Sequence, residues 1–271
     1  TCKNIGSNCI LILGKEKFFH MNSKELNLQG TQERLVKKAT DPGQYDSLSL
    51  NWEKEGMLDS PTRQFFHEHL EANLENLSGK SVLDVGSGTG HLSKLFSKLG
   101  ASEIHGIEPA HKNVEISRKL YPEMRVTEQA FEEASPERTF DVVVVVMAFE
   151  HMRNLDSAFQ KLSQFVRPNG SLYIVVGDKE YHTTERFGYE LEIEDLGHGE
   201  VATSTKRPYG TMHDIFRPIP NFTEAAQKSG FILKKQVALV PTEKFIKAEP
   251  KYKQFEGKPL NHLLVFEFSG H

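Results

Sequence analysis

The chain has 271 residues, of which 38% are hydrophobic and 26% are charged, and its formal net charge is −4. This composition can supply a hydrophobic core, which excludes a disordered chain, and it lacks the basic surplus of a nucleic-acid-binding protein. The mean hydropathy is −0.47, and the longest apolar block, residues 142–149, is far shorter than the ~18 residues of a membrane-spanning helix. We therefore expect one globular α/β domain with added segments, without contacts to membranes or nucleic acid.

The two cysteines, Cys2 and Cys9, have no histidine or further cysteine at metal-ligand spacing. They predict neither a metal site nor a disulfide framework, so a reducing cytoplasm is the simplest location. Residues 1–20 are either an expression remnant or an upstream extension, and both interpretations stay open. The sequence does not indicate the oligomeric state.

Residues 1–70 predict an N-terminal extension that ends in a helical cap. Pro61 follows Ser60 in the manner of a first helical turn, and Phe65 and Leu70 follow as apolar support. Trp52, the single tryptophan, is expected to anchor the core rather than a ligand.

Strand and helix patterns alternate from Ser81 onward and predict a second unit over residues 71–271. The elements in chain order are a strand at 82–85, a helix at 92–99, a strand at 103–107, a helix at 111–120, a short strand at 124–127, a strand at 141–147, a helix at 155–165, a turn at 168–170 and a strand at 171–176. The run of valines in the strand at 141–147 is typical of a strand buried on both faces of a parallel sheet. The alternation predicts right-handed βαβ units in a Rossmann-like, doubly wound sheet.

The alternation stops after Gly177. Residues 178–217 are polar and aromatic with little periodicity, and a segment of this length is typical of a lid or a substrate-binding insertion. A short helix at 221–229 and strands at 231–240 and 262–268 follow, which brings the predicted sheet to seven strands.

The chemistry-bearing motif is the glycine-rich turn between the first strand and its helix. Glycines at 86, 88 and 90 let the backbone turn sharply and approach a ligand, and the helix start offers free N–H groups. His91 occupies the place where a dinucleotide fingerprint needs its third glycine, which disfavours an NAD oxidoreductase. The sequence also does not match the motif of a phosphate-binding loop, because position 74 is leucine instead of glycine and the Gly79–Ser81 tripeptide precedes the strand instead of following it. Glu108 ends the next strand about 20 residues after the turn, where a carboxylate can accept both ribose hydroxyls.

The residues 82–90 (VLDVGSGTG) and 107–109 (IEP) resemble the first two motifs of class I S-adenosylmethionine-dependent methyltransferases. Residues 140–143 (FDVV) resemble the opening of that family's fourth strand, and 167–172 (RPNGSL) resemble the turn into its fifth strand. Residues 149–152 (FEHM) resemble the Glu-His pair of the family's small-molecule branch. The resemblance covers residues 78–176 well and 212–268 loosely, whereas 1–70 and 178–211 are not covered by motifs.

The resemblance implies S-adenosylmethionine as cofactor and S-adenosylhomocysteine as its product. It places the methionine part and the ribose at the turn, with the ribose hydroxyls on Glu108. Gln129 stands where the family often has an acidic residue that reads the adenine, and its side-chain oxygen could accept the same hydrogen bond. The cofactor residues that the resemblance implies are Tyr45, Asp84, Gly86, Ser87, Gly88, Thr89, Gly90, Glu108, Pro109, Gln129, Ala130, Phe131, Val146 and Met147.

Methyl transfer to a protonated nucleophile needs a base, and two histidines are candidates. His151 follows the fourth strand at the ligand-binding edge, and His213 lies near the end of the insertion. Each could equally be a structural side chain, and Glu150 is expected to be structural. The candidate substrate residues are Tyr181, His182, His198, Tyr209 and Arg217.

The predicted function is S-adenosylmethionine-dependent methylation of an oxygen, nitrogen or carbon atom of a small organic molecule. The absence of the Asn-Pro-Pro-Tyr type motif, with residues 147–150 reading MAFE, disfavours methylation of nucleic-acid bases and of glutamine. Two alternatives stay open: methylation coupled to cyclisation, and a partner or scaffold subunit that binds the cofactor without turnover.

Overall fold

The computed structural model describes residues 34–54 and 60–270, and ahead of them the backbone of three short strands. These are β1 (Cys2–Ile5), β2 (Asn8–Ile12) and β3 (Phe18–Asn22), which pair antiparallel in that order. The side chains of Cys2, Cys9 and Trp52 lie outside the described residues, as does much of the segment 1–20 whose origin the sequence leaves open.

The described remainder contains a helical segment at 34–39, ten further strands and eight helices with the bounds given below. The strands are β4 (Ser81–Val85), β5 (Glu103–Glu108), β6 (Met124–Glu128), β7 (Phe140–Val146), β8 (Val166–Gly177), β9 (Glu190–Gly197), β10 (Glu200–Arg207), β11 (Gly210–Phe216), β12 (Phe231–Leu239) and β13 (Asn261–Phe268). The helices are α1 (Gly43–Lys54), α2 (Pro61–Glu71), α3 (Ser93–Lys98), α4 (His111–Leu120), α5 (Leu155–Leu162), α6 (Lys179–His182), α7 (Ile219–Lys228) and α8 (Glu243–Ala248). None of these described helices is long and apolar enough to cross a lipid bilayer.

Seven strands form the central sheet in the order β12-β13-β8-β7-β4-β5-β6. The pairs from β8 to β6 are parallel, and β13 runs antiparallel to both of its neighbours. The predicted seven-stranded, doubly wound α/β fold is therefore confirmed. The final two strands form one edge of the sheet, as expected.

Two apolar layers cover the sheet because successive side chains of each strand point to opposite faces. Val143 and Val145 of β7 pack in a cluster with Phe159 of α5, while Val142 and Val144 pack in a second cluster on the other face. All four valines are completely buried. Burial of each stabilises the fold by roughly 1.5–3 kcal/mol, which explains why an unbroken valine run marks the centre of the sheet.

Local signals fix the ends of several elements. Ser60 caps α2 by accepting a hydrogen bond from the backbone of Arg63, as the Ser-Pro pair predicts. The strand β8 begins earlier than expected, at Val166. Residues 167–170 loop out of register opposite β7, with Asn169 at a φ of 60°, so the predicted turn is present as an irregularity inside a longer strand.

The insertion is more regular than the sequence predicts. It contains the short helix α6 and a separate three-stranded antiparallel sheet in the order β11-β10-β9. Its alternation is hard to recognise because buried positions carry polar side chains, among them Thr203, Thr205 and Asp214. A second unpredicted feature lies between β12 and β13, where α8 and a 3₁₀ helix (Pro250–Phe255) pack near the insertion.

Candidate active site

A cavity of about 530 Å³ opens where β4, β5 and β7 end. Ligands of open α/β sheets bind at this carboxyl edge. The glycine turn and Glu108 line the cavity together with α1, the insertion and the segment before β13. The sheet and the added segments therefore contribute to one continuous site.

The glycine turn has the conformation that its sequence requires. Gly86 and Gly88 have φ values of 69° and 54°, which other residues adopt only at a cost. A Cβ at Gly86 would lie 2.5 Å from that of Ala148, whereas a Cβ at Gly88 would meet no protein atom within 4 Å. Gly88 thus leaves open space on the cavity side, and the buried hydroxyls of Ser87 and Thr89 nearby have no hydrogen-bond partner among the described residues.

Glu108 holds its carboxylate against the turn. Its Oε2 accepts a hydrogen bond of 2.8 Å from the Gly88 N–H, and its Oε1 accepts bonds of 3.0 Å from the Ala110 N–H and from Asn113 Nδ2. Burial nevertheless raises the pKa of Glu108 above its ordinary value, because the three donors only partly offset desolvation. The side chain is preorganised at the place where the sequence predicts ribose recognition.

Asp84 lies at the end of β4, behind the lining of the cavity. Burial, with a contribution from the charge of Glu108, raises the pKa of Asp84 to about 8. Its Oδ2 has no hydrogen-bond partner among the described residues. Such a carboxyl is stabilised by a nearby positive charge.

Three of the four residues expected near the adenine line the cavity. Pro109, Ala130 and Phe131 line the cavity, but Gln129 does not, and its backbone N–H donates to the Glu108 carbonyl. Gly90 also lies outside the lining. A Cβ there would lie 2.5 Å from Ser117 Oγ, so this glycine permits close packing against α4.

The end of β7 carries backbone strain at the cavity. Val146 and Met147 both line it, as predicted, and Met147 has a φ of 53°. Its sulfur accepts a hydrogen bond of 3.0 Å from Asn261 Nδ2. Strained conformations of this kind concentrate at functional sites.

A histidine–tyrosine pair lines the same cavity. His151 Nδ1 lies 3.0 Å from the Ala39 carbonyl oxygen, and Nε2 lies 2.6 Å from the hydroxyl of Tyr45. A carbonyl can only accept, so Nδ1 of the neutral ring carries the proton and Nε2 accepts from Tyr45. Asp214 Oδ1 lies 3.7 Å from the same Nε2. Burial, followed by the charges of Asp214 and other carboxylates, raises the pKa of Tyr45 well above its ordinary value, which keeps the phenol protonated.

The second predicted base, His213, is on the wrong face of its strand. Met212, Asp214 and Phe216 of β11 line the cavity, and side chains of a strand alternate between faces. His213 is therefore directed away from the site, and its backbone N–H donates to Gln44 Oε1 at 3.1 Å. The ionisable group that β11 contributes is Asp214.

The predicted substrate residues separate into two groups. Tyr181, His182 and Tyr209 line the cavity. His198 is exposed in the turn between β9 and β10, with a φ of 52°. Arg217 is buried outside the lining.

Arg217 connects the insertion to the loop that carries His151. Its guanidinium donates to the carbonyls of Phe149, Met152 and Arg153 at 3.0, 2.8 and 3.1 Å, and its Nε lies 3.3 Å from Glu200 Oε1. This arrangement supports the backbone of the 149–153 loop rather than contacting the cavity.

Several lining residues were not predicted from the sequence: Arg63, His91, Tyr189, Arg207, Asp214 and Tyr252. Strand alternation along 212–216 could have placed Asp214 on the inner face, had β11 been recognised. His91 is half-buried, with both ring nitrogens buried, and it stacks on His67 with ring centroids 5.3 Å apart. The loss of hydration around the ring, followed by the charge of Arg63, lowers the pKa of His91 well below its ordinary value. No periodic signal marks Arg207 or Tyr252.

A family model described as a methyltransferase domain matches residues 59–235, more than half of the chain. The chain belongs to this methyltransferase family. The earlier resemblance and the Rossmann-like fold are thereby confirmed.

The methyltransferase domain also has named relatives. The mitochondrial ubiquinone biosynthesis O-methyltransferase of Rattus norvegicus is 35% identical over 112 residues, which are 38% of this chain and 32% of the rat protein. The match thus spans about a third of that relative's length.

Solved structures share the fold of this methyltransferase. An S-adenosylmethionine-dependent methyltransferase from Mesorhizobium loti has a TM-score of 0.60 and 18% identity, covering 74% of this chain and 96% of that one. The glycopeptide N-methyltransferase MtfA, solved with S-adenosylhomocysteine, has a TM-score of 0.55 and 14% identity, covering 75% and 89%.

Proposed function

We propose that this methyltransferase binds S-adenosylmethionine at the glycine turn and methylates a hydroxyl oxygen of a small organic molecule. The observation that carries the proposal is the position of the Tyr45–His151 pair in the same cavity as the turn and Glu108. A candidate base and the proposed cofactor residues thus line one cavity. The name of the rat relative, an O-methyltransferase, supports oxygen as the acceptor atom.

The described residues fit the cofactor. Unpartnered polar atoms of Asp84, Ser87 and Thr89 surround the turn, and the open side of Gly88 allows close approach. We assign the ribose hydroxyls to Glu108, the adenine to the Ala130–Phe131 wall, and the cationic methionine part to the vicinity of Asp84. MtfA, a structural neighbour, was solved with S-adenosylmethionine and with its product.

When bound, the cofactor supplies a methyl group on a positively charged sulfur, which leaves with the bonding electron pair. The protein has to orient the acceptor oxygen and remove its proton. The acceptor hydroxyl takes the place of Tyr45 on His151 Nε2, and its proton moves to that nitrogen. Asp214, 3.7 Å away, stabilises the imidazolium that results, and the Ala39 carbonyl holds the ring in the productive tautomer.

From the sequence we also propose that the chain consists of an N-terminal extension over residues 1–70 and a methyltransferase domain over residues 71–271. We further propose that the protein is cytoplasmic and that its site does not contact nucleic acid. Only two cysteines in 271 residues are compatible with a reducing compartment.

Calorimetric titration tests the proposal with S-adenosylmethionine, S-adenosylhomocysteine and NAD. We expect the two sulfur nucleosides to bind and NAD to fail. Glu108→Ala should abolish or strongly weaken binding, while the matched control Glu103→Ala, at the other end of the same strand and partly exposed, should bind normally. Failure of both sulfur nucleosides to bind would refute the proposal.

The reaction itself is tested by mass spectrometry of products from a hydroxylated acceptor library. A product that gains one CH₂ unit indicates simple methylation. A ring-closed product would favour the cyclisation alternative, and cofactor binding without any product would favour the scaffold alternative.

A further inference from the structure

The insertion contributes a cation to the cavity, Arg207, that forms no ion pair within 4 Å among the described residues, although the charge of Asp214 acts on it from farther away. Arg207 ends β10 and lines the site. Its Nη1 donates a long bond of 3.4 Å to the hydroxyl of Tyr209, and its guanidinium lies 5.9 Å from the ring centre of Tyr189. Its buried Nε has no hydrogen-bond partner, and no described carboxylate forms an ion pair with the side chain.

The neighbouring cations differ from Arg207 in this respect. Arg186 donates to the backbone carbonyls of Tyr181, His182 and Thr184, and Lys251 pairs with Glu249 at 3.1 Å. Because a buried charge without a partner is costly, the free edge of Arg207 is suited to an anionic group of a ligand.

The geometry of the Arg207 side chain indicates which class of anion would bind to it. With Nη1 directed to Tyr209, the free edge of Arg207 consists of Nε and Nη2, two parallel donors that match the two oxygens of a carboxylate. Because the charge of Asp214 already acts on Arg207, a singly charged carboxylate fits this position better than a phosphate dianion, which would add a second negative charge. The surrounding wall is aromatic, with Tyr189, Tyr209 and Tyr252 among its residues, and it favours a flat ring.

We propose that the acceptor is an aromatic small molecule that carries a carboxylate, and that this carboxylate binds the Nε–Nη2 edge of Arg207. The inference rests on the proposed function, since it assigns the substrate class of the same site. Arg207 is then a specificity residue, which anchors one end of the acceptor while its hydroxyl reaches His151. The charge of Arg207 acts to lower the pKa of both Tyr45 and His182, which agrees with its position near these two residues in the cavity.

The test compares 4-hydroxyphenylacetate with its uncharged isostere 4-hydroxyphenylacetamide on protein saturated with S-adenosylhomocysteine, using ligand-observed NMR titration. We expect the acid to bind about 10- to 100-fold more tightly than the amide, the range for a hydrogen-bonded charged partner. Arg207→Gln should remove this preference, and Arg207→Lys should keep a part of it. Lys206→Gln is the matched control, because Lys206 is exposed on the same strand and pairs with Glu190.

The outcomes separate the two proposals. Normal binding of S-adenosylhomocysteine to Arg207→Gln, with loss of the preference for the acid, supports the inference and shows that the variant is folded. Equal binding of acid and amide to the parent protein, no binding of either, or a preference that persists in Arg207→Gln would overturn the inference and leave the cofactor proposal intact. Failure of S-adenosylhomocysteine to bind the parent protein would refute both.

Discussion

Replacing Gly88 with alanine tests whether the open side of the glycine turn is a ligand surface. At a φ of 54°, an added Cβ meets no protein atom within 4 Å, so the fold has room for it. The cost to folding is the left-handed backbone alone, roughly 1–2 kcal/mol. The melting temperature should fall by about 2–4 °C for each kcal/mol.

Ligand binding should respond much more strongly than stability. The new methyl group projects about 1.5 Å into the cavity from a backbone that the cofactor has to approach closely. We expect at least a tenfold loss of affinity for S-adenosylhomocysteine, which corresponds to about 1.4 kcal/mol. A misplacement of this size should also lower kcat by about 10²-fold.

Gly79→Ala is the matched control. Gly79 has a φ of 74°, also has no protein atom within 4 Å of its added Cβ, and does not line the cavity. Calorimetry and thermal unfolding on both variants should show similar destabilisation and a binding defect in Gly88→Ala alone. Unchanged affinity in Gly88→Ala would refute the placement of the cofactor at the turn.

Three further changes test the rest of the site. His151→Asn should lower kcat by about 10²–10⁴-fold while calorimetry shows unchanged binding of S-adenosylhomocysteine, and an active variant would exclude His151 as the base. In Arg217→Lys the single ammonium group cannot bind all three carbonyls that the guanidinium holds. We therefore expect the free energy of unfolding, measured by chemical denaturation, to fall by about 3 kcal/mol and kcat to decrease. An unaffected kcat would show that the 149–153 loop does not need this support. Because burial raises the pKa of Asp84 to about 8, the folded state keeps a proton that the unfolded state loses above pH ~4. This carboxyl therefore makes no stability difference below pH ~4 and lowers stability by about 1.4 kcal/mol per pH unit as the pH rises toward 8. Asp84→Asn should flatten that slope in denaturation measured across the range, and an unchanged slope would contradict the raised pKa.

The sheet could be predicted because its signals are local and apolar. The valine run of β7 and the Gly86–Gly90 turn each require one type of structure, and α4 lies at the residues that its periodicity predicts. Glu108 could be found because a strand end after a glycine turn has a fixed place in such sheets.

The insertion could not be predicted because several of its inward positions carry polar side chains, which line the cavity instead of filling a core. Asp214 and Arg207 occupy places where an apolar residue would have revealed the strand period. The sequence favours His213 because residues 212–216 are expected to pack beside the sheet edge, but successive side chains of a strand point to opposite faces, and the segment alone does not show which face is inward. The contact between Tyr45 and His151 joins residues 106 positions apart, and no pattern within either segment indicates it.

The residues assigned to the cofactor and those assigned to the acceptor come from different segments of the chain, which has a consequence for how members of this family could change their substrate. The sheet edge holds the residues assigned to the cofactor, while Arg207, Tyr209 and Asp214 come from one β-meander, residues 190–216, that is continuous in the sequence. Exchange of this meander between family members would alter the acceptor and leave the methyl donor's site in place. Replacement of residues 190–216 as one segment is thus a short evolutionary route to a new substrate, provided that an arginine equivalent to Arg217 continues to hold the 149–153 loop.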